Sequence, residues 1–239
     1  MDDSLLNAVD FPVARFFNQW VRSVWWWDQS LAFLSESHLL KGGVLMALLW
    51  WAWFRRGRFE VARAHIVVTL ASCALALAVG RAMVHLFVHR PRPLHEPALR
   101  LAMPYGVAEQ ALHDLSSFPS DHAVLFFALA AGFFFVDRWL GWLALAYVSV
   151  CIALPRLYLG LHYLSDIAVG AAVGVALSVA GNLWLGRGRA AAWTVGWAER
   201  APWLFYPAMF LVTHQIADLF EDSRLLVKGI HALATHMAG

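Results

Sequence analysis

SFPSDHAVLFFALAAGFFFV, residues 117–136, joins a polar hexapeptide ending in Asp121 and His122 to an apolar run without a charge from Ala123 to Val136. A run this uniform has no polar face, so it belongs in lipid or in the centre of a bundle. The Pro-Ser-Asp start marks where a helix begins at the boundary with water. Working outward, comparable apolar runs cover 38–54, 62–88, 139–158, 162–185 and 202–220, with the quoted one at 120–136. Each is near the roughly 20 residues needed to cross a bilayer. The expectation is an all-α integral membrane helical bundle of about six transmembrane helices. Residues 4–36 mix apolar residues with Asn7, Asp10, Arg15, Arg22, Asp28 and Glu36, which suits an N-terminal segment lying in the interface. No linker, low-complexity tract or internal repeat divides the chain, so residues 1–239 read as one domain.

Composition agrees. The chain is 61% hydrophobic and 14% charged, too little charge to cover a soluble domain. Trp is abundant, with 13 residues, and Trp25, Trp26 and Trp27 form a candidate interfacial belt. The net charge of +2, held in clusters, excludes nucleic acid as a partner and leaves membrane lipids. Cys73 and Cys151 lie in apolar runs and behave as small hydrophobes. The N-terminal residues carry Asp2, Asp3 and Asp10 and no basic residue before Arg15, so they do not resemble a cleavable signal peptide.

Basic residues set the expected orientation. Arg55, Arg56, Arg58 and Arg63 fill the first connection, Arg138 the third, and Arg187, Arg189 and Arg200 the fifth. Lys and Arg are retained in the cytoplasm, so the 89–119 loop and the 155–162 turn face outward together. Arg90, Arg92 and Arg100 in that outer loop violate the rule, and a functional role accounts for them.

Three segments converge on this face. The first, His85-Leu-Phe-Val-His-Arg90-Pro-Arg92-Pro93, ends the second span at its prolines and holds two guanidinium groups at the surface. A stop-transfer cluster binding lipid headgroups is the plain alternative. In the second, Ser120 and Asp121 either cap the third span or leave its N–H groups as an anion site, with His122 close by. The third, Arg156-Leu-Tyr-Leu-Gly-Leu-His162-Tyr-Leu-Ser-Asp166, places His162 and Asp166 at i and i+4, where a carboxylate can orient an imidazole. A helix-end ion pair is the alternative, but an Asp buried in an apolar span favours function.

Taken together, these segments resemble the motifs of the type 2 phosphatidic acid phosphatase superfamily: Lys-six residues-Arg-Pro, then Pro-Ser-Gly-His, then Ser-Arg-five residues-His-three residues-Asp. The wording Phe-Pro-Ser-Asp-His is most similar to the bacitracin-resistance branch of undecaprenyl-diphosphatases, over roughly residues 10–185. Three positions depart. His85 stands for the motif Lys if Arg92-Pro93 sets the register, Met83 if Arg90-Pro91 does, and His85 is preferred. Asp121 replaces the Gly, and Pro155 replaces the Ser.

The resemblance implies a membrane lipid phosphatase with no cofactor. His162 is the expected nucleophile, His122 the acid and then base, and Asp166 the orienting group. Arg92, Arg156 and Ser120, with His85, Arg90 and Asp121 as further candidates, are the expected phosphate contacts. The expected substrate is a polyprenyl or glycerolipid phosphate, with undecaprenyl diphosphate favoured by the branch likeness. A phosphotransferase using the same intermediate and a lipid-binding transporter or scaffold are the rivals. Glu96, Glu109 and Asp114 are irregularly spaced, so no metal is expected. Arg81 interrupts the second span, and Asp218, with His214 one turn before it, is its candidate partner.

Overall fold

The computed structural model describes residues 3–55, 59–87, 89–108, 115–221 and 223. Arg56, Arg58, Glu109 and Asp114, used in the readings above, lie outside them. The described residues are helical, without strands. In order they form α1 (Asp3–Asn18), α2 (Trp25–Glu36), α3 (Val44–Phe54), α4 (Phe59–Leu86), α5 (Asp121–Val136), α6 (Arg138–Tyr147), α7 (Leu154–Tyr158), α8 (Leu164–Leu185), α9 (Arg189–Arg200) and α10 (Pro202–Ala217).

Among the described residues, three stretches are long and apolar enough to cross a membrane: Val61–Leu86, Arg138–Tyr158 and Leu164–Leu185. The middle one is α6 and α7 joined through a π-helical segment, Val148–Ala153. A fourth is a pair, α2 with Leu39–Phe54, bent by 68°. This corrects the first expected span. Its partner α2 comes from the segment assigned to the interface, and Leu39–Gly43, which opens the second half, is a π-helical turn. Trp25 and Trp26 remain more than half exposed, as a belt requires. α10 has 16 residues, about 24 Å of helix, and is not among the stretches of spanning length.

α5 is also only 16 residues long, yet ten of them are buried. It is the central helix, packed on α4, α6 and α8. The contact with α8 is the closest because Gly170 and Gly174 face it, one turn apart. A Cβ at Gly174 would stand 2.1 Å from the Val124 carbonyl oxygen, and one at Gly170 would stand 2.9 Å from that of Ser120. Small residues at this spacing let two helix backbones touch in a membrane. The start of α8 therefore lies beside the start of α5, and the Ser120 N–H donates to the Asp166 carbonyl at 3.2 Å. Below, Asn182 donates to Thr69 at 3.1 Å and meets His65 at 3.0 Å, tying α8 to α4.

The two loops assigned to one face do meet, the Leu94 N–H donating to the Gly160 carbonyl at 3.0 Å, and within the first loop the Ser117 N–H donates to the Arg90 carbonyl at 2.9 Å. At the other end, Arg55 pairs with Asp137 at 3.0 Å, joining the first and third connections. Arg81 does not pair with Asp218. It reaches Asp121 at 3.4 Å and the Leu219 carbonyl at 2.8 Å, while Asp218 pairs with His38 at 2.9 Å.

Gly174→Leu should lower the melting temperature in detergent, by a destabilisation of about 1–3 kcal/mol or more, because the Val124 backbone cannot yield. Val175→Leu, on the exposed side of the same helix, should leave it near wild type. Equal melting of Gly174→Leu and wild type would show that the close contact is dispensable.

Candidate active site

The ends of α4, α5 and α7 and the turn before α8 surround a cavity of about 750 Å³. His122 is on the first turn of α5, and its Nε2 is buried without a hydrogen-bond partner among the described residues. His162 precedes α8, held by its N–H to the Arg156 carbonyl at 3.3 Å. The intervening reversal needs Gly160, which adopts φ +66°. Both histidines line the cavity, with Arg92 and Arg156.

The orientation of His162 follows from its neighbours. Nδ1 is 2.8 Å from the Ser117 carbonyl, which can only accept, so Nδ1 carries the proton. Nε2 then presents its lone pair and accepts from Arg92 Nη1 at 3.2 Å. A neutral imidazole with its Nε2 lone pair facing an arginine and a cavity can attack an electrophile held there. Arg92 is anchored by donating to the Leu161 carbonyl at 2.7 Å, while its Nε has no partner among the described residues.

Residues 67–189 match the PAP2 superfamily. The chain belongs to that superfamily. "Putative undecaprenyl-diphosphatase YbjG" of Escherichia coli (strain K12) is 34% identical over 151 residues, 62% of this chain and 69% of the relative. "Bacitracin transport permease protein BcrC" of Bacillus licheniformis is 40% identical over 60 residues, 25% of this chain and 29% of the relative. No solved structure gives a significant match. The chain is thus a multi-pass membrane protein of a phosphatase superfamily, as its motifs imply.

Within this PAP2 site the structure redistributes several expected roles. Asp166 Oδ2 lies 3.7 Å from His162 Nδ1, too far for a hydrogen bond. The two remain an i, i+4 ion pair at that distance, but α8 begins at Leu164 and leaves His162 outside the helix. Asp166 instead caps that helix, accepting from the Tyr163 N–H at 2.8 Å, and takes Arg90 Nη1 at 3.0 Å. The direct orienting group is the Ser117 carbonyl, and Asp166 acts on His162 through space.

Arg90 is turned away from the cavity. Its guanidinium donates to Asp10 at 2.8 Å, Asp166 at 3.0 Å and Ser165 at 2.8 Å, and lies 3.8 Å over the Tyr163 ring, off the cavity wall. Burial opposes its charge, but Asp10 and Asp166 outweigh that and raise its pKa. Ser120 is fully buried as the N-cap of α5, with its hydroxyl taken by the Ala123 N–H, and so is not on the wall either. Asp121 and His85 do line the cavity, Asp121 with its carboxylate turned to Arg81. Tyr158 and Tyr163 are buried rather than interfacial, and the Tyr158 hydroxyl donates to Asp28 at 2.6 Å.

The sequence reading missed Lys41, which is 5% exposed and on the cavity wall, and Asp10, which is fully buried. A lysine near the start of an apolar run was a usable signal. His38, Asp218 and Glu221 each bring a ligand atom within 4.8 Å of the others. The His38–Asp218 ion pair explains their approach without a metal.

Burial, the largest influence, lowers the His162 pKa below the ordinary value of about 6.5; Arg92 and Arg156 add to this, and Asp166 opposes it. Burial also draws Arg92 down to about 10, still a cation at neutral pH. A nucleophilic His162 must be neutral, so activity is lost as pH falls through this lowered pKa. The acid limb of kcat/KM should therefore have its midpoint below about 6.5, and Asp166→Asn should move it lower still. A wild-type midpoint above that value, or an upward move in Asp166→Asn, would contradict this electrostatic picture.

Proposed function

We propose that this chain hydrolyses undecaprenyl diphosphate to undecaprenyl phosphate through a phosphohistidine on His162, at the outer face of the bacterial cytoplasmic membrane. The observation that carries the chemistry is the fixed tautomer of His162, with Nε2 turned to Arg92 and the cavity. Nε2 attacks the terminal phosphorus, and the bond from phosphorus to the bridging oxygen breaks. The bridging oxygen leaves with the electron pair on the lipid monophosphate and takes a proton from His122. Water then attacks the phosphohistidine, giving its proton to His122, and inorganic phosphate departs. Arg92 and Arg156 neutralise the equatorial oxygens, where charge concentrates in phosphoryl transfer. The reaction uses no metal.

The substrate rests on the name of the Escherichia coli relative and on the Phe-Pro-Ser-Asp-His wording. The name of the Bacillus licheniformis relative offers transport as a second reading. Transport gives no reason for two histidines on one cavity wall. Release of free phosphate, rather than its transfer to a second lipid, separates hydrolysis from the phosphotransferase rival.

His162→Ala should abolish phosphate release from undecaprenyl diphosphate in micelles, whereas wild type should remain active in EDTA and be inhibited by vanadate. Phosphatidic acid or phosphatidylglycerol phosphate should be hydrolysed at least about tenfold less efficiently. Full activity of His162→Ala would remove the nucleophile, and a reversed substrate ranking would remove the diphosphate while leaving the phosphatase.

Orientation is tested with single cysteines in a chain lacking Cys73 and Cys151. Ala98→Cys, on the site's loop, should react with an impermeant thiol reagent on intact cells, and Arg187→Cys should not. The opposite pattern would turn the site toward the cytoplasm.

A further inference from the structure

Lys41 comes from a part of the chain that none of the three motifs touches. It sits in the π-helical turn Leu39–Gly43 that opens the second half of the bent span. Such turns widen a helix by one residue and redirect a side chain. This one is clamped from two sides. The Tyr147 hydroxyl donates to the Leu40 carbonyl, and Gly42 packs so tightly on the end of α10 that a Cβ there would stand 2.4 Å from the Ala217 backbone. The result is a lysine whose residue as a whole is 5% exposed and which lines the cavity wall.

A buried charge normally has a partner, because desolvation is costly without one. No hydrogen bond or ion pair among the described residues engages the Lys41 ammonium, although Glu36, Asp218 and Glu221 act on it through space. Arg156 is close enough to repel it. An unpaired cation facing a cavity already walled by arginines is stabilised when an anion of high charge enters.

Its position within the cavity is informative. The charged groups that act most on His122 are Arg156, Lys41, His162 and Arg92. Those that act most on His162 are Arg92, Asp166 and Arg156, without Lys41. The two arginines thus act on both histidines, and Lys41, on the same cavity wall, acts on His122, the proton donor to the leaving group.

We propose that Lys41 forms a second phosphate subsite, which binds the lipid-proximal phosphate of a diphosphate and stabilises it as it departs. This rests on the diphosphatase reading above. When the bond from the terminal phosphorus to the bridging oxygen breaks, the electron pair stays on that oxygen, which takes the proton of His122. The departing lipid phosphate is left bearing the charge that Lys41 faces. A lipid monophosphate has no second phosphate to place there, so Lys41 discriminates between the two substrate classes.

The test compares wild type, Lys41→Met and Lys41→Arg on a polyprenyl diphosphate and on phosphatidic acid in the same micelles. Lys41→Met should lose about tenfold or more in kcat/KM on the diphosphate, a loss several times larger than on phosphatidic acid, and Lys41→Arg should recover most of it. Equal losses on both substrates, or none on the diphosphate, would overturn the subsite. Inhibition of the wild-type protein is a readout that no folding defect can blur: inorganic pyrophosphate should compete at least about tenfold more tightly than inorganic phosphate. Equal inhibition by the two anions would also overturn it. A wild-type protein that cleaves phosphatidic acid but no diphosphate would instead refute the functional reading on which the subsite stands.

Discussion

The close backbone contact of α8 on α5 is the constraint on which the site depends. Gly170 and Gly174 leave no side chain between the helices, so the two helix starts come together at one level. His122 hangs from one start and His162 precedes the other. The separation of the two imidazoles is therefore set by how nearly the helices touch, and reacting groups work only when held at a fixed separation. In lipid, where apolar side chains gain little by leaving their surroundings, such packing is a principal source of helix association.

Around this contact lies a buried ionic cluster. Asp10 and Asp166 are fully buried, and both are held by Arg90. Buried ion pairs add little net stability, because desolvation offsets attraction, but losing one partner leaves an uncompensated charge. The cluster therefore fixes geometry. It ties α1 to the start of α8 and holds Asp166 near His162, so the N-terminal helix is part of the catalytic support and more than an interfacial collar.

The C-terminal helix has a comparable place. α10 packs on α3, where Trp50 donates to Thr213 at 3.3 Å, and its end meets the turn that carries Lys41. The Leu219 carbonyl holds Arg81, which in turn holds Asp121 on the cavity wall. Elements outside the three motifs thus supply part of the cavity wall.

Much of this was set by the sequence alone. Apolar runs of spanning length, prolines that stop a helix and a serine that caps one act within a turn or two of chain, so the helical bundle and the common face of the three motifs were legible. So was the gathering of His122, His162, Arg92 and Arg156 on one cavity wall, because their motifs place each beside a helix end. The tertiary structure decided which neighbouring cation serves which purpose. Arg90 and Arg92 look equivalent along the chain, but Asp10 from α1 claims the first and leaves the second for the cavity. It also decided what orients His162, because the helix starts two residues later than an i, i+4 reading requires and the Ser117 carbonyl arrives from another loop. Lys41 reached the site through a π-helical turn clamped by Tyr147 and α10. Each of these outcomes depends on groups separated by tens of residues and joined only when helices pack, and local propensity carries no record of such contacts.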